Sequence, residues 1–307
     1  MNKTKNKTNR IGALLPLFFI VAPILTALRS VEYLRIADLG NGHFEDSTII
    51  TICNVATTVM AIIFMTHAFS HHRKDSIPYE SFSGSPAAHV SSATMAVAIC
   101  YAIYELIASL VKDGALVKIE VDQIVTVASA LLGVCALAFL LLNVIIEERH
   151  NQLNAALGIA AALFFASYGM FLHFDTSVAA NVPQRIITTV AIMLCAVFML
   201  YEARIPLGRS KWHSYVAFGL AASLTLFYSS VPALIYYFVK GQAIIGATLI
   251  QQSLSLTAAI YIIVRVCIIA FAPEDEVCDL ADSILDMVHR RKAKNDALAR
   301  VNNLKEE

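Results

Sequence analysis

Two stripes of polar residues lie inside stretches that are otherwise apolar and long enough to cross a bilayer. Tyr101 and Glu105 share one helix face, and Thr51 and Asn54 share a face of another helix. Hydrocarbon offers such groups no partners, so they mark substrate or ion pathways. We predict that these four side chains line one substrate or ion site. The alternative is that Glu105 reaches the membrane surface and pairs with Lys112, while the amide and hydroxyl groups only join helices.

A second polar group lies toward the other end of these stretches. Arg265 lies inside the last apolar stretch, and Glu202 follows the sixth. Asn143 lies near the end of the fourth, one helical turn before Glu147. Arg265 either extends its guanidinium to lipid head groups or pairs internally with Glu202 or Glu147. The internal pair predicts an inner gate made of these four residues.

The remaining residues with reactive side chains show no catalytic pattern. His67 and His71 are four residues apart, a spacing that suits two ligands of one metal ion, although interfacial histidines would show it too. The six cysteines have no C-x-x-C spacing and are predicted to be free thiols in packing positions. We find no phosphate-binding loop, dinucleotide fingerprint or nucleophile elbow. The sequence therefore predicts no cofactor and favours a protein that is not an enzyme.

The elements that must position these residues are eight apolar stretches. Of 307 residues, 58% are hydrophobic and 15% are charged, against about 25% charged in ordinary soluble domains. About 20 apolar residues in a helix cross the hydrocarbon layer. The eight stretches are residues 11–28, 48–69, 87–111, 121–146, 153–172, 186–201, 215–239 and 247–271. They predict an all-α, polytopic integral membrane bundle of eight transmembrane helices.

The charge pattern predicts the orientation and the domain organisation. Most of the 23 basic residues fall on the side shared by both tails and the even-numbered loops. Because basic residues are retained in the cytoplasm, both termini are predicted to be cytoplasmic. The short loops and the many small residues in the bundle favour the cell membrane of a prokaryote. We divide the chain into a basic N-terminal tail (1–10), a transmembrane domain (11–272) and a cytoplasmic amphipathic helix (273–307).

The predicted contacts of the chain follow from the same pattern. The lipid bilayer surrounds the helices, and the zero net charge gives no reason to expect nucleic acid as a partner. Apolar residues in 277–304 offer a surface for a partner subunit or a second copy of the chain. Similar short segments at 11–19 and 157–165 predict a parallel repeat of four plus four helices, with chance similarity as the alternative.

These observations lead to three functional hypotheses. The first is a small-solute or ion permease, or a subunit of one, with the polar stripes as its pathway. The second is a sensor or assembly subunit that transports nothing and docks a partner through its C-terminal tail. The third is an intramembrane hydrolase that uses a metal ion held by histidines.

Overall fold

A computed structural model describes residues 14–36, 48–70, 85–112, 121–145, 152–174, 182–207 and 210–271. Eight α-helices make up nearly all of this described part. They are α1 (Leu14–Ile36), α2 (Thr48–Ser70), α3 (Pro86–Lys112), α4 (Val121–Ile145), α5 (Gln152–Phe174), α6 (Pro183–Glu202), α7 (Trp212–Lys240) and α8 (Leu249–Phe271). A 3-10 turn at Ile205–Leu207 follows α6. The chain divides into two units, Met1–Ala270 and Phe271–Glu307.

All eight helices are long and apolar enough to cross a membrane. Their candidate spans run from 20 to 29 residues, and their mean hydropathy lies between 1.6 and 2.6. Within the described residues, the only regular structure is helical. The all-α membrane bundle of eight spans is therefore confirmed, and the chain is a multi-pass membrane protein.

The helix boundaries match the predicted stretches except in α1. The sequence predicts that the first stretch ends at residue 28, before Arg29, but α1 continues to Ile36. The reason is that Arg29, Ser30 and Glu32 are all buried inside the bundle. Their polar groups find partners there, so the charge of Arg29 does not end the helix.

Helix α7 lies at the centre of the bundle. It packs against α1, α2 and α6, and 72% of its most apolar window is buried, against 28% for α2. It also approaches α8 closely, since a methyl group added at Gly219 would lie 2.5 Å from Cγ2 of Val266. The small residues Ala217, Ala221 and Ala222 are fully buried on the same helix. These small residues let neighbouring helices approach the α7 backbone closely, as α8 does at Gly219.

Successive helices run in opposite directions, which gives the bundle two ends. At end A, α1, α3, α5 and α7 finish and the even-numbered helices begin; end B is the opposite end. Contacts between Glu105, late in α3, and Thr248, just before α8, agree with this arrangement. The sequence predicts that end A is external and end B cytoplasmic.

A buried arginine near the start of α6 binds the end of α5 at end A. Nε of Arg185 donates to the carbonyl of Leu172 at 2.9 Å, and another nitrogen of Arg185 donates to the carbonyl of His173. The last carbonyls of a helix have no partner within it, and a cation there is favourable. Arg185 therefore caps α5.

Three predictions concern parts that this structure does not test. The basic tail 1–10 and the C-terminal helix 273–307 lie outside the described residues. The side of the membrane on which each terminus lies stays a prediction. The same is true of the repeat of four plus four helices.

Candidate functional site

The centre of the polar interior is a proline inside α7. Pro232 is buried within this helix and has no N–H group. The carbonyl of Tyr228, four residues earlier, therefore loses its helical donor, and the proline ring also crowds this carbonyl. The next carbonyl along the chain is that of Ser229. In a membrane core these carbonyls require donors from elsewhere in the protein.

Arg29 of α1 supplies the first of these donors. One terminal nitrogen of its guanidinium donates to the carbonyl of Tyr228 at 3.1 Å. The other donates to the hydroxyl of Tyr33 at 2.6 Å and to Oε1 of Gln184 at 3.0 Å. The guanidinium carbon also lies 4.1 Å from the ring centre of Tyr228 and 5.0 Å from that of Tyr33. Arg29 itself is fully buried.

Gln184, the second residue of α6, supplies the other donor. Its Nε2 donates to the carbonyl of Ser229 at 2.9 Å and to the hydroxyl of Thr188 at 3.2 Å. Its Oε1 accepts hydrogen bonds from Arg29 and Tyr33. The amide orientation follows from these neighbours, because a guanidinium only donates and a carbonyl only accepts.

Two further polar contacts complete this group. The hydroxyls of Thr188 and Ser229 are 2.8 Å apart, and Nε2 of Gln252 lies 3.4 Å from the hydroxyl of Thr188. We call this set the Pro232 network, and it comprises Arg29, Tyr33, Gln184, Thr188, Tyr228, Ser229, Pro232 and Gln252. It joins α1, α6, α7 and α8 in the half of the bundle toward end A.

Arg29 forms no direct ion pair with a described carboxylate. Arg29 belongs to neither of the ion pairs formed between described side chains, which are Arg35–Glu32 and Arg265–Glu202. Its Nε has no hydrogen-bond partner, although it is buried. An arginine at the centre of a membrane helix costs roughly 2.5–3.5 kcal/mol on insertion scales. Neutral oxygens and tyrosine rings offset this cost here.

The second polar cluster lies toward end B and contains a buried ion pair. Arg265 and Glu202 approach to 2.5 Å, and their side chains are 5% and 2% exposed. The carboxylate of Glu202 accepts hydrogen bonds from the hydroxyls of Tyr261, at 3.1 Å, and of Tyr215. The structure therefore has the internal ion pair, and extension of Arg265 to the lipid head groups is wrong.

The other two predicted gate residues are Asn143 and Glu147, and only Asn143 is among the described residues. Asn143 lies near the end of α4 and is half-buried, and Glu147 lies outside the described residues. Among the described gate residues, the structure shows Glu202 and Arg265 in direct contact. Their role as a gate stays a prediction.

Glu105 bridges three helices at end A. Its carboxylate accepts hydrogen bonds from the hydroxyl of Tyr168 at 2.9 Å and from the hydroxyl of Thr248 at 2.8 Å. Thr248 and Gln251 form a reciprocal capping box at the start of α8, with both backbone-to-side-chain distances at 3.2 Å. A carboxylate beside a helix N-terminus is stabilised by the backbone dipoles. The side chain of Lys112, proposed as an alternative partner, is not among those described.

The predicted common site of Asn54 and Glu105 stays a prediction. Oδ1 of Asn54 accepts a hydrogen bond from the hydroxyl of Tyr228 at 2.6 Å, which attaches α2 to the Pro232 network. Glu105, in contrast, binds α5 and the start of α8. Tyr101 is 60% exposed and Thr51 is also exposed, so both lie at the outer surface of the described bundle.

The histidine and cysteine predictions have different outcomes. His67 is half-buried near the end of α2, and His71 lies outside the described residues, so their predicted metal site is not tested. Among the residues with described positions, no group of three or more His, Cys, Asp or Glu is placed to hold a metal ion. The five described cysteines are free thiols.

Sequence reasoning missed most of the Pro232 network. The predicted first span ends at residue 28, before Arg29, and Pro232 falls within the stretch 215–239, for which only an apolar span is predicted. The useful signal was the combination of a proline within a membrane helix and an arginine followed four residues later by a tyrosine. Both features indicate a need for buried partners, but the sequence alone does not pair Arg29 with Tyr228.

Comparison with known proteins identifies no relative of this chain. No family model matches it, and the searches of curated proteins and of solved structures also give no match. The function must therefore be argued from the residues described above.

Proposed function

We propose that this protein is a permease for a small solute, with its binding region at the Pro232 network. The observation that carries this proposal is the missing hydrogen bond at Pro232 in the otherwise continuous helix α7: Arg29 of α1 binds the Tyr228 carbonyl, and Gln184 of α6 binds the next carbonyl, of Ser229. A helix that only anchors a protein in lipid has no need of such an interruption at its most buried part.

The chemistry of membrane transport supports this assignment. Transporters commonly bind their substrates where a transmembrane helix is broken, because the freed backbone groups can then interact with a solute. Irregular backbone inside a membrane is tolerated where protein or a polar cavity surrounds it. Here α7 remains a continuous helix, and the carbonyl that Pro232 leaves without a helical donor is surrounded by hydroxyl, amide and guanidinium groups.

The ion pair toward end B fits a gate of such a permease. Arg265 and Glu202 join α8 to α6, and Tyr215 connects the same carboxylate to the start of α7. Separation of α6 from α8 would expose both charges to water, which would hydrate them as the pair is lost. The pair therefore closes end B in this conformation and permits opening at a moderate cost.

Access to Cys53 provides a test that needs no knowledge of the substrate. Cys53 is 1% exposed and packs beside Leu25 and Tyr228, next to the Pro232 network. The other five cysteines are replaced, and the protein is treated in native membranes with a charged, membrane-impermeant maleimide. A permease opens this region to water, so we expect measurable labelling of Cys53. Glu202→Gln should raise the rate from end B by at least about tenfold, because the buried charge pair that holds α6 to α8 is lost.

The matched control is a protein that keeps only Cys195. This thiol is fully buried in the main apolar core on α6. It should remain unlabelled, which shows that the bundle is folded. Absence of Cys53 labelling from both sides, with and without Glu202→Gln, would overturn the proposed permease.

A further inference from the structure

We infer that Arg29 is the anchoring residue of a binding site for a small monocarboxylate. This inference names the substrate class of the proposed permease and rests on that function for its physiological meaning. The binding itself is a separate property of the chain. Its basis is the charge, the hydrogen-bonding capacity and the apolar surroundings of Arg29.

The first argument is the charge of the site. Arg29 is fully buried, and its positive charge is not part of either ion pair between described side chains. Glu32 is one helical turn away and is also buried, but its carboxylate lies 3.8 Å from Arg35. The site therefore favours an anion. Because Glu32 is buried nearby, a monoanion adds less negative charge to this part of the bundle than a phosphate dianion would.

The second argument is the set of donors. A guanidinium carries five N–H groups, and Arg29 uses three hydrogen bonds on its two terminal nitrogens. Its buried Nε has no acceptor. One oxygen of a carboxylate can accept from this Nε, and the other can replace Tyr33 or Gln184 as acceptor on the neighbouring terminal nitrogen, which a spherical chloride ion cannot do. The hydroxyls of Thr188 and Ser229 lie in the same network.

The third argument is the apolar surface beside these donors. The guanidinium lies over the rings of Tyr33 and Tyr228. Leu25 and Cys53 pack against the Tyr228 side of this region. A carboxylate with a short aliphatic or aromatic body would place its charge at Arg29 and its body against these groups. The site is thus suited to an amphipathic acid rather than to a fully polar one.

Arg29 also binds the carbonyl of Tyr228, so the test must separate ligand binding from a purely structural role. The purified full-length protein is reconstituted in lipid nanodiscs. Its unfolding midpoint is measured at neutral pH with acetate, lactate or benzoate. Separate samples contain chloride, inorganic phosphate, or the neutral amides acetamide and benzamide. We expect a saturable rise in the midpoint with at least one carboxylate and no rise with its amide.

The variants then locate the effect. Arg29→Lys keeps the charge but loses the fork, and the apparent Kd for the active carboxylate should rise by about tenfold or more. Arg185→Gln removes a different buried arginine, the one that caps α5. It should lower the starting midpoint and leave the Kd unchanged. The inference is wrong if no carboxylate acts, if chloride or phosphate acts equally well, or if Arg29→Lys leaves the Kd unchanged.

A flux measurement distinguishes this inference from the proposed function. Proteoliposomes are loaded with the active carboxylate, and exchange with the same radiolabelled acid outside is followed. Binding without exchange supports the carboxylate site and counts against the permease. Labelling of Cys53 from the water phase without any carboxylate binding supports the permease and overturns this inference.

Discussion

Arg29 and Arg265 are both buried but are stabilised in different ways, and the difference has consequences for single substitutions. Arg265 has a carboxylate partner at 2.5 Å, whereas the bonds of Arg29 go to a backbone carbonyl, a hydroxyl and an amide oxygen. Removing one member of a buried ion pair leaves the other charge without compensation. Arg265 is therefore the residue whose environment depends most strongly on a single neighbour.

We predict that Glu202→Gln lowers the stability of the protein by about 3–5 kcal/mol, because Arg265 then remains as an uncompensated buried cation. The double variant Glu202→Gln/Arg265→Met should be more stable than Glu202→Gln alone, since neither charge remains. Thermal unfolding of the four proteins in nanodiscs provides the double-mutant cycle. A double variant that is less stable than both single variants would contradict this explanation.

The control for this cycle is Arg35→Gln. The Arg35 side chain is 72% exposed and lies 3.8 Å from Glu32. Water screens such a pair, so its loss should change the stability by no more than about 1 kcal/mol. Equal effects of Arg35→Gln and Glu202→Gln would show that burial does not determine the cost.

At the scale of a single helix, the interruption of α7 can be closed by one substitution. Pro232→Ala restores an N–H group that can donate to the carbonyl of Tyr228. One additional hydrogen bond should slow amide exchange in the flanking turns of α7 by about two- to tenfold. Hydrogen exchange with mass spectrometry measures this effect. The rate of Cys53 labelling should fall in parallel, because the Tyr228 carbonyl then has a donor within its own helix.

Pro23→Ala is the matched control for this prediction. Pro23 also lies inside a helix, α1, but it is exposed at the surface of the bundle. It should leave the exchange of α7 and the labelling of Cys53 unchanged. If Pro232→Ala changes neither amide exchange in α7 nor the labelling of Cys53, the missing hydrogen bond at Pro232 plays no role in the function.

The helices were predictable from the sequence, while their contacts were predictable only in part. Runs of about 20 apolar residues determine a membrane helix by themselves, so seven of the spans begin and end close to the predicted positions. The roles of Arg29 and Glu105 were not predictable in this way, because each binds a partner more than 140 positions away in sequence. Helical periodicity gives the face of a helix, but it does not identify the neighbouring helix.

At the scale of the whole molecule, the last four helices of the bundle are more deeply buried than the first four. In the most apolar windows of α1 to α4, 28–33% of residues are buried, against 50–72% in α5 to α8. Both polar clusters use α6, α7 and α8. Arg29 and Asn54 then attach α1 and α2 to α7. The most buried helices therefore carry the polar interior, and α1 and α2 complete its end A side.

The orientation of this bundle determines which cluster meets which compartment, and it can be tested directly. The excess of basic residues at end B predicts that the Arg265–Glu202 pair lies on the cytoplasmic side and the Pro232 network on the external side. A fluorescent protein fused after Glu307 should therefore fluoresce, and alkaline phosphatase inserted at Gly241, between α7 and α8, should be active outside the cytoplasm. The opposite pattern would place the ion pair outside, and the proposed gate would then control external access.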